Sequence, residues 1–323
     1  MAKSIAKYAL AAMFFIAGSS THAQSYPNKP VRIIVPSSPG DGADLLARAL
    51  ATPLQQALGQ PFIVENRAGA GGVIGSEMVA KSPADGYTLI VAHAGSHAIN
   101  AALYPKLTYD PQRDFTPVML LMTAPNVLVV NPSLPIKTVQ DFITYAKKQP
   151  GKLTYGSGGN GSSAHLTMEA FKSATGIDLV HVPYKGSNPA LTDIIGGQIP
   201  LMFVNLPPAV PHIKTGKIRA VAVTTARRSN ALADVPTVAE SGLAGFETVA
   251  WFGVLGPAGM PRDIVQRLNA EIAKVMQSAD WKERIVALGG DSAPGAPEAL
   301  AERIRTDVAR WKKVVADAGI KPE

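Results

Sequence analysis

A strand, a glycine-rich loop and a helix follow one another twice in this chain, about 120 residues apart. That repeat leaves few folds open. The first unit reads VRIIV (31–35), SSPGDGAD (37–44) and LLARALATPLQQAL (45–58), with Gly59 as the helix stop. The second reads KLTY (152–155), GSGGNG (156–161) and SSAHLTMEAFKSAT (162–175), with Gly176 as its stop. Each is followed by a further strand, loop and helix: PFIVEN, RAGAGG and VIGSEMVAKS (61–82), then IDLVHVPY, KGSN and PALTDIIGG (177–197). The repeat is one of architecture, not of sequence. Alternating strands and helices require crossover connections, which join parallel strands. The pattern therefore predicts an α/β protein of two domains, each a mostly parallel sheet flanked by helices.

The remaining segments place the domain boundaries. PVMLLMTAPNVLVVNP (117–132) is long enough to cross from one domain to the other, and FETVAWFGVLGP (246–257) is a second candidate crossing. IPLMFVN (199–205) and IRAVAVT (218–224) read as strands of the middle domain. The tail (PRDIVQRLNAEIAKVMQS, then PEALAERIRTDVARWKKVVADAG) carries apolar residues at three and four spacing, as helices packed on the first domain would. The predicted division is residues 24–124 with 250–323 as a discontinuous first domain, and 125–249 as an inserted second domain.

Residues 1–23 read as a signal peptide. Lys3 and Lys7 precede the apolar run YALAAMFFIAG, too short to span a bilayer, and small residues at Thr21 and Ala23 suit cleavage before Gln24. No twin arginine is present, so export is expected to be of the unfolded chain, to the periplasm. Losing Lys3 and Lys7 lowers the net charge from +7 by two, to +5. That balance slightly favours small anions. The basic residues are scattered, which gives no nucleic-acid surface. The chain has no cysteine, which excludes disulfides, thiolate metal sites and cysteine nucleophiles.

In α/β sheets ligands bind where strands end in loops that lead into helices. Two such domains facing each other would set SSPGDGAD and GSGGNGSS on opposite walls of one cleft. The glycines let backbone approach a ligand, Ser157, Ser162 and Ser163 offer hydroxyls, and the helix start offers unpaired amides. GSGGNG also fits the dinucleotide pattern G-x-G-x-x-G, with Asp178 at the distance of a ribose partner. Export and the loop's position in the second domain argue against that cofactor, so the loop is expected to hold a carboxylate. The sequence has no G-x-S-x-G, H-E-x-x-H or Walker motif. His93 and His97 are four apart but lack a third ligand, and His93 is read as a strand-end residue. Asp41 and Asp44 suit a helix start better than an acid pair.

These blocks, from YPNKPVRIIVPSSPGDGADLLAR through KLTYGSGGNGSSAHLTMEAF to PAGMPRDIVQRLN, resemble the Bug family across essentially the whole mature chain. Bug proteins are the substrate-binding components of tripartite tricarboxylate transporters. The resemblance implies a type II periplasmic binding protein of the Venus-flytrap kind. It would capture a small carboxylate between its domains, without metal or organic cofactor, and deliver it to the transporter's membrane subunits. The implied ligand-binding positions on the first wall are Ser37, Ser38, Asp41, Gly42, Ala43 and Asp44. On the second they are Ser157, Gly158, Gly159, Ser162, Ser163 and His165. Ser96, His97, Tyr184 and Asn205 flank them.

Two positions depart from the family pattern. Ser37 stands where many members carry an aromatic residue, and Asp41 where many carry a glycine. Pointing inward, Asp41 would repel a second anionic group or accept from an amine or hydroxyl; capping its helix outward, it would be silent. His165 and Tyr184 have packing roles as alternatives to ligand contact. Lys185 is read as solvent-facing, and Trp251 and Phe252 as interdomain core. The competing functions are an orphan receptor read by a membrane sensor kinase and a dinucleotide-dependent enzyme. A monomer is the default for a receptor that closes about a hinge.

Overall fold

The computed structural model describes residues 26–317 and Ile320. The expected signal peptide lies outside the described residues. Among them, no helix is long and apolar enough to cross a membrane. The first unit forms β1 (Val31–Val35) and α1 (Gly42–Leu58), followed by β2 (Phe62–Asn66), α2 (Val73–Ala80) and β3 (Thr88–His93). In α1, Leu46, Leu50, Leu54 and Leu58 recur every four residues and are buried. One apolar stripe thus faces the sheet, and Gly59 at φ 73° ends the helix in the left-handed conformation that favours glycine.

The chain then turns through a π-helical segment (Gly95–Ile99) and α3 (Asn100–Leu103) into β4 (Phe115–Val130), a 16-residue strand. After α4 (Val139–Lys147), the second unit forms β5 (Thr154–Ser157), α5 (Ser163–Thr175), β6 (Val180–Pro183) and α6 (Ser187–Ile195). β7 (Leu201–Asn205), α7 (Leu206–Lys214), β8 (Arg219–Val223) and β9 (Val249–Pro257) follow. The chain closes with α8 (Arg262–Gln277), α9 (Ala279–Leu288), β10 (Asp291–Ser292) and α10 (Pro297–Asp317).

The strands make one mixed sheet in the order β2-β1-β3-β9-β4-β7-β5-β6, with β8 and β10 also paired to β4. The strands that carry the repeated loops pair in parallel: β1 with β2 and β3, and β5 with β6 and β7. The central strands run antiparallel, so the parallel pattern expected from the crossovers holds only on the flanks. The reason lies in β4. Residues Phe115–Pro125 pair with β9, and Asn126–Val130 pair with β7 and β8. One strand therefore belongs to both halves of the sheet. β9 pairs only on the first side of that switch, and the backbone just before it crosses: Thr248 N–H donates to Thr224 C=O at 2.9 Å.

Each half has apolar cores on both faces. Leu46 and Leu50 of α1 share one with Leu268 and Ile272 of α8 and with Trp281. Trp251 of β9 shares another with Leu300, Ile304 and Trp311 of α10. α8 and α10 thus lie on the first half, whereas α9 also packs against α7 of the second. Phe142, Phe171 and Phe203 form one core of the second half, and Leu191, Ile194 and Val204 the other.

Candidate functional site

The loop after β1 turns at Pro36–Asp41 and delivers α1 toward the second half of the sheet. Asp44, in the first turn, braces this loop: its carboxylate accepts from the Gly40 amide (2.8 Å), Arg48 Nε (3.0 Å) and Asn66 Nδ2 (3.0 Å). Burial works against the charge, but these donors outweigh it and hold the Asp44 pKa below the usual value. Asp41 precedes the helix without capping it through its side chain. Its Oδ2 accepts from the Ser38 hydroxyl at 3.0 Å and, across the cleft, from the Ser187 amide at 3.3 Å. Its Oδ1 is buried with no hydrogen-bond partner. Burial raises the Asp41 pKa to about 6, with the hydrogen bonds of Ser38 and the α6 amides pulling the other way. Of the two orientations expected from sequence, the inward one describes this residue, which lines the cavity and also bridges one wall to the other.

On the opposite wall the loop between β5 and α5 is fastened from within. The Ser157 hydroxyl takes the Gly159 amide (3.0 Å) and lies 2.6 Å from His181 Nε2. Ser162 caps α5, accepting the His165 amide at 3.3 Å. Ser163 Oγ accepts from Asn126 Nδ2 at 3.1 Å, which also donates to Thr167. His165 stacks on His181 at 4.1 Å and 6°. Burial, with His181 adding to it, lowers the His165 pKa to about 3. The loop after β6 begins α6 at Ser187, directly facing Asp41.

These elements enclose a cavity of about 40 Å³ between the two halves. Three helix starts face it: α1 with Gly42 and Ala43, α5 with Ser163 and Ala164, and α6 with Ser187. Phe252 closes one side, and a Cβ on Gly42 would meet its ring at 2.6 Å. The unpartnered buried atoms Ser37 Oγ, Asp41 Oδ1 and Asn205 Oδ1 all belong to lining residues. Beside the cavity the walls touch: a Cβ on Gly71 would lie 2.1 Å from the Asn160 carbonyl oxygen. The site offers amides and hydroxyls to an oxyanion, and Lys185 at its exposed edge is the cationic side chain among the described lining residues.

The structure brings together Ser37, Asp41, Gly42, Ala43, Gly158, Ser162, Ser163 and Asn205 of the expected set. It places the others in support. Ser38 and Asp44 hold the first loop, and Ser157, Gly159 and His165 hold the second. Ser96 and His97 are buried behind the cavity, with the Ser96 hydroxyl 3.0 Å from His97 Nδ1 and the His97 ring edge-on to Phe115. Tyr184 turns its hydroxyl to Asp193 at 2.6 Å. Phe252 is both core and cavity lining, whereas Trp251 is core, its Nε1 donating to Asp307 at 2.7 Å.

Sequence reasoning missed the RAGAGG loop, His93, Gly186 and Ser187 as lining residues. The signal was present in the architecture: each unit has a second strand–loop–helix, and the loops RAGAGG and KGSN end on the same side as the first. His93 ends β3 as expected. Its Nδ1 accepts the Ser96 amide at 3.2 Å, which leaves its proton on Nε2, facing the Pro36 carbonyl. Burial lowers its pKa to about 4, so the ring is neutral.

The dinucleotide reading of GSGGNG also fails on geometry. Asp178 is exposed and lies before β6, where its backbone carbonyl accepts the Gly151 amide ahead of β5. β5 and β6 are parallel. Asp178 is therefore at the opposite end of the strands from the loop it would have to serve.

Comparison with known proteins gives the family. The family described as tripartite tricarboxylate transporter family receptor, TctC, matches residues 46–320. BugT of Bordetella pertussis is 39% identical over 300 residues, covering 93% of this chain and 92% of BugT. A solved structure of Rpa4515 from R. palustris with adipate is 42% identical, with a TM-score of 0.89 over 92% of this chain and 100% of that one. MatC from Rhodopseudomonas palustris, with bound malate, is 35% identical, with a TM-score of 0.87 over 90% of this chain and 100% of that one. A structure described as the periplasmic binding protein BugD is 33% identical, with a TM-score of 0.88 over 92% and 100% of the two chains.

Proposed function

The chain belongs to the tripartite tricarboxylate transporter receptor family, a family of solute receptors and not of enzymes, and from that premise we propose that it is an exported receptor for a small organic carboxylate. The observation that carries the reading is the convergence of three helix starts on one enclosed cavity between the two halves of the sheet. Unpaired amides and the positive end of a helix dipole favour an oxyanion. They do so without a reacting group: the lining residues include no nucleophile paired with a general base. The printed ligands of two relatives, adipate and malate, are of the same class.

The cavity has room for a few waters at most, so a carboxylate enters when the halves separate and is enclosed when they close. Residues 24–124 with 250–323 and residues 125–249 are the two domains of that motion. β4 and the segment leading into β9 are its hinge, because among the described residues these carry the chain between the halves. The closed monomer then presents the ligand to the membrane subunits of a tripartite transporter.

Thermal denaturation of the exported protein, refolded to remove carried-over ligand, tests this. A carboxylate at about 100 times its dissociation constant adds about 2.7 kcal/mol to stability, a shift of a few degrees for a protein of this size. Phosphate esters and NAD are expected to leave the midpoint unmoved. A shift with NAD and none with any carboxylate would overturn the reading.

A further inference from the structure

Asp41 already fills one of the three anion positions in the cavity. Its Oδ2 takes the Ser187 amide at the start of α6, where a ligand carboxylate would otherwise sit. The side chain is held there by Ser38 on its own wall. The fit is close: Gly186, next to the bonded amide, has no room for a Cβ, which would lie 2.0 Å from Ser38 Oγ and 3.0 Å from Asp41 Oδ2. Two anion positions remain, at the starts of α1 and α5.

The second observation is Oδ1 of the same carboxylate. Asp41 is 6% exposed, and Oδ1 is buried without a hydrogen-bond partner, on a residue that lines the cavity. Asn205, which ends β7, adds a second buried acceptor-only oxygen without a partner among the lining residues. Buried acceptors left unpaired are costly, and an unpaired buried charge more so. The cavity thus offers unpaired acceptors beside its donors. Resting on the carboxylate-receptor reading, we propose that Asp41 selects the ligand: the receptor takes a carboxylate whose other polar end is a hydrogen-bond donor, an ammonium ahead of a hydroxyl, and rejects dicarboxylates.

The physical basis is a difference between ligands of equal length. A second carboxylate would meet the Asp41 carboxylate in a water-excluded space and find the α6 amide taken. An ammonium there would pair with Oδ1 through a charge-assisted hydrogen bond. A hydroxyl would donate the same bond without the charge.

Isothermal titration of the exported protein, refolded to remove carried-over ligand, tests the proposal. The panel pairs each dicarboxylate from malonate to adipate with the ω-amino, ω-hydroxy and unsubstituted monocarboxylates of the same length. The amino acid of the preferred length is expected to bind at least about tenfold more tightly than its dicarboxylate, and Asp41→Asn to reduce that ratio at least about tenfold. Circular dichroism establishes that the variant is folded; should it not fold, the wild-type ranking alone decides. A dicarboxylate that binds wild type more tightly than its amino counterpart overturns the proposal and leaves the carboxylate reading standing. No binding by any compound in the panel overturns both.

Discussion

Asp44 and Asp41 are three residues apart and do opposite work. Asp44 is an internal strut. Replacing it with alanine leaves the Gly40 amide and Asn66 without their acceptor and removes the partner of Arg48. Loss of an acceptor from a buried donor costs about 1–3 kcal/mol. Asp44→Ala is therefore expected to lower the unfolding free energy by that amount, read as a lower urea midpoint, without changing which carboxylate is bound. A change in ligand preference with unchanged stability would show that Asp44 faces the ligand. Asp41 bonds to the far wall, so its substitutions should appear in ligand choice. The pair was legible in sequence as acids at a helix start. Their division of labour was not, because it depends on Asn66 and Ser187, which come from other elements.

At the scale of elements, the second loop of each unit completes the site. α6 begins at Ser187 only because Gly186 adopts φ 130°, in a region open to glycine, and fits against Ser38 of the other half. Gly186→Ala is expected to lose about 1 kcal/mol of stability from the backbone strain alone. Its Cβ would also hold the walls apart, so ligand affinity should fall at least about tenfold beyond that. Small-angle scattering with saturating ligand would show a more open molecule than wild type. Unaltered affinity would mean that the walls do not need this contact to close. α7 was not legible as a helix because Pro207, Pro208 and Pro211 argue against one. The first two lie in the opening turn, where an amide hydrogen is not needed.

For the whole molecule, burial of neutral imidazoles sets the response to acid. His93, His97 and His165 have pKa values lowered to about 4, 3 and 3, in each case chiefly by desolvation. A lowered histidine pKa means that the unfolded chain binds the proton first, so stability is lost as pH falls below about 6.5. Asp41, raised to about 6 by burial, acts in the other direction between its unfolded value of 3.8 and 6. There the folded state holds the extra proton, and stability falls as pH rises. Near pH 5 these four groups leave unfolding with a net uptake of about two protons, so stability should drop by roughly 2–3 kcal/mol per pH unit of acidification. Asp41→Asn removes the opposing contribution and should steepen that dependence by about one proton. Denaturant midpoints between pH 4.5 and 6.5 check both, and a flat profile would contradict the burial of the histidines.

The sequence by itself determined most element types, α7 excepted, and the two loops that face each other, because strand and helix periodicity and a glycine stop are local properties. It determined the family as well, since blocks of residues in a fixed order carry that signal without coordinates. Tertiary structure alone decided which side chains line the cavity. Of the residues read as binding, Ser157 bonds His181 and His165 stacks on it, Tyr184 bonds Asp193, and His97 bonds Ser96. Gly71, His93 and Ser187 reach the cavity from loops that the sequence presents as ordinary turns. Tertiary structure also decided that the sheet is mixed at its centre, because β4 and β9 run against their neighbours where the chain passes between the halves. Hydrogen-bond partners and strand direction are relations between distant segments. No local window of sequence contains both members of such a pair.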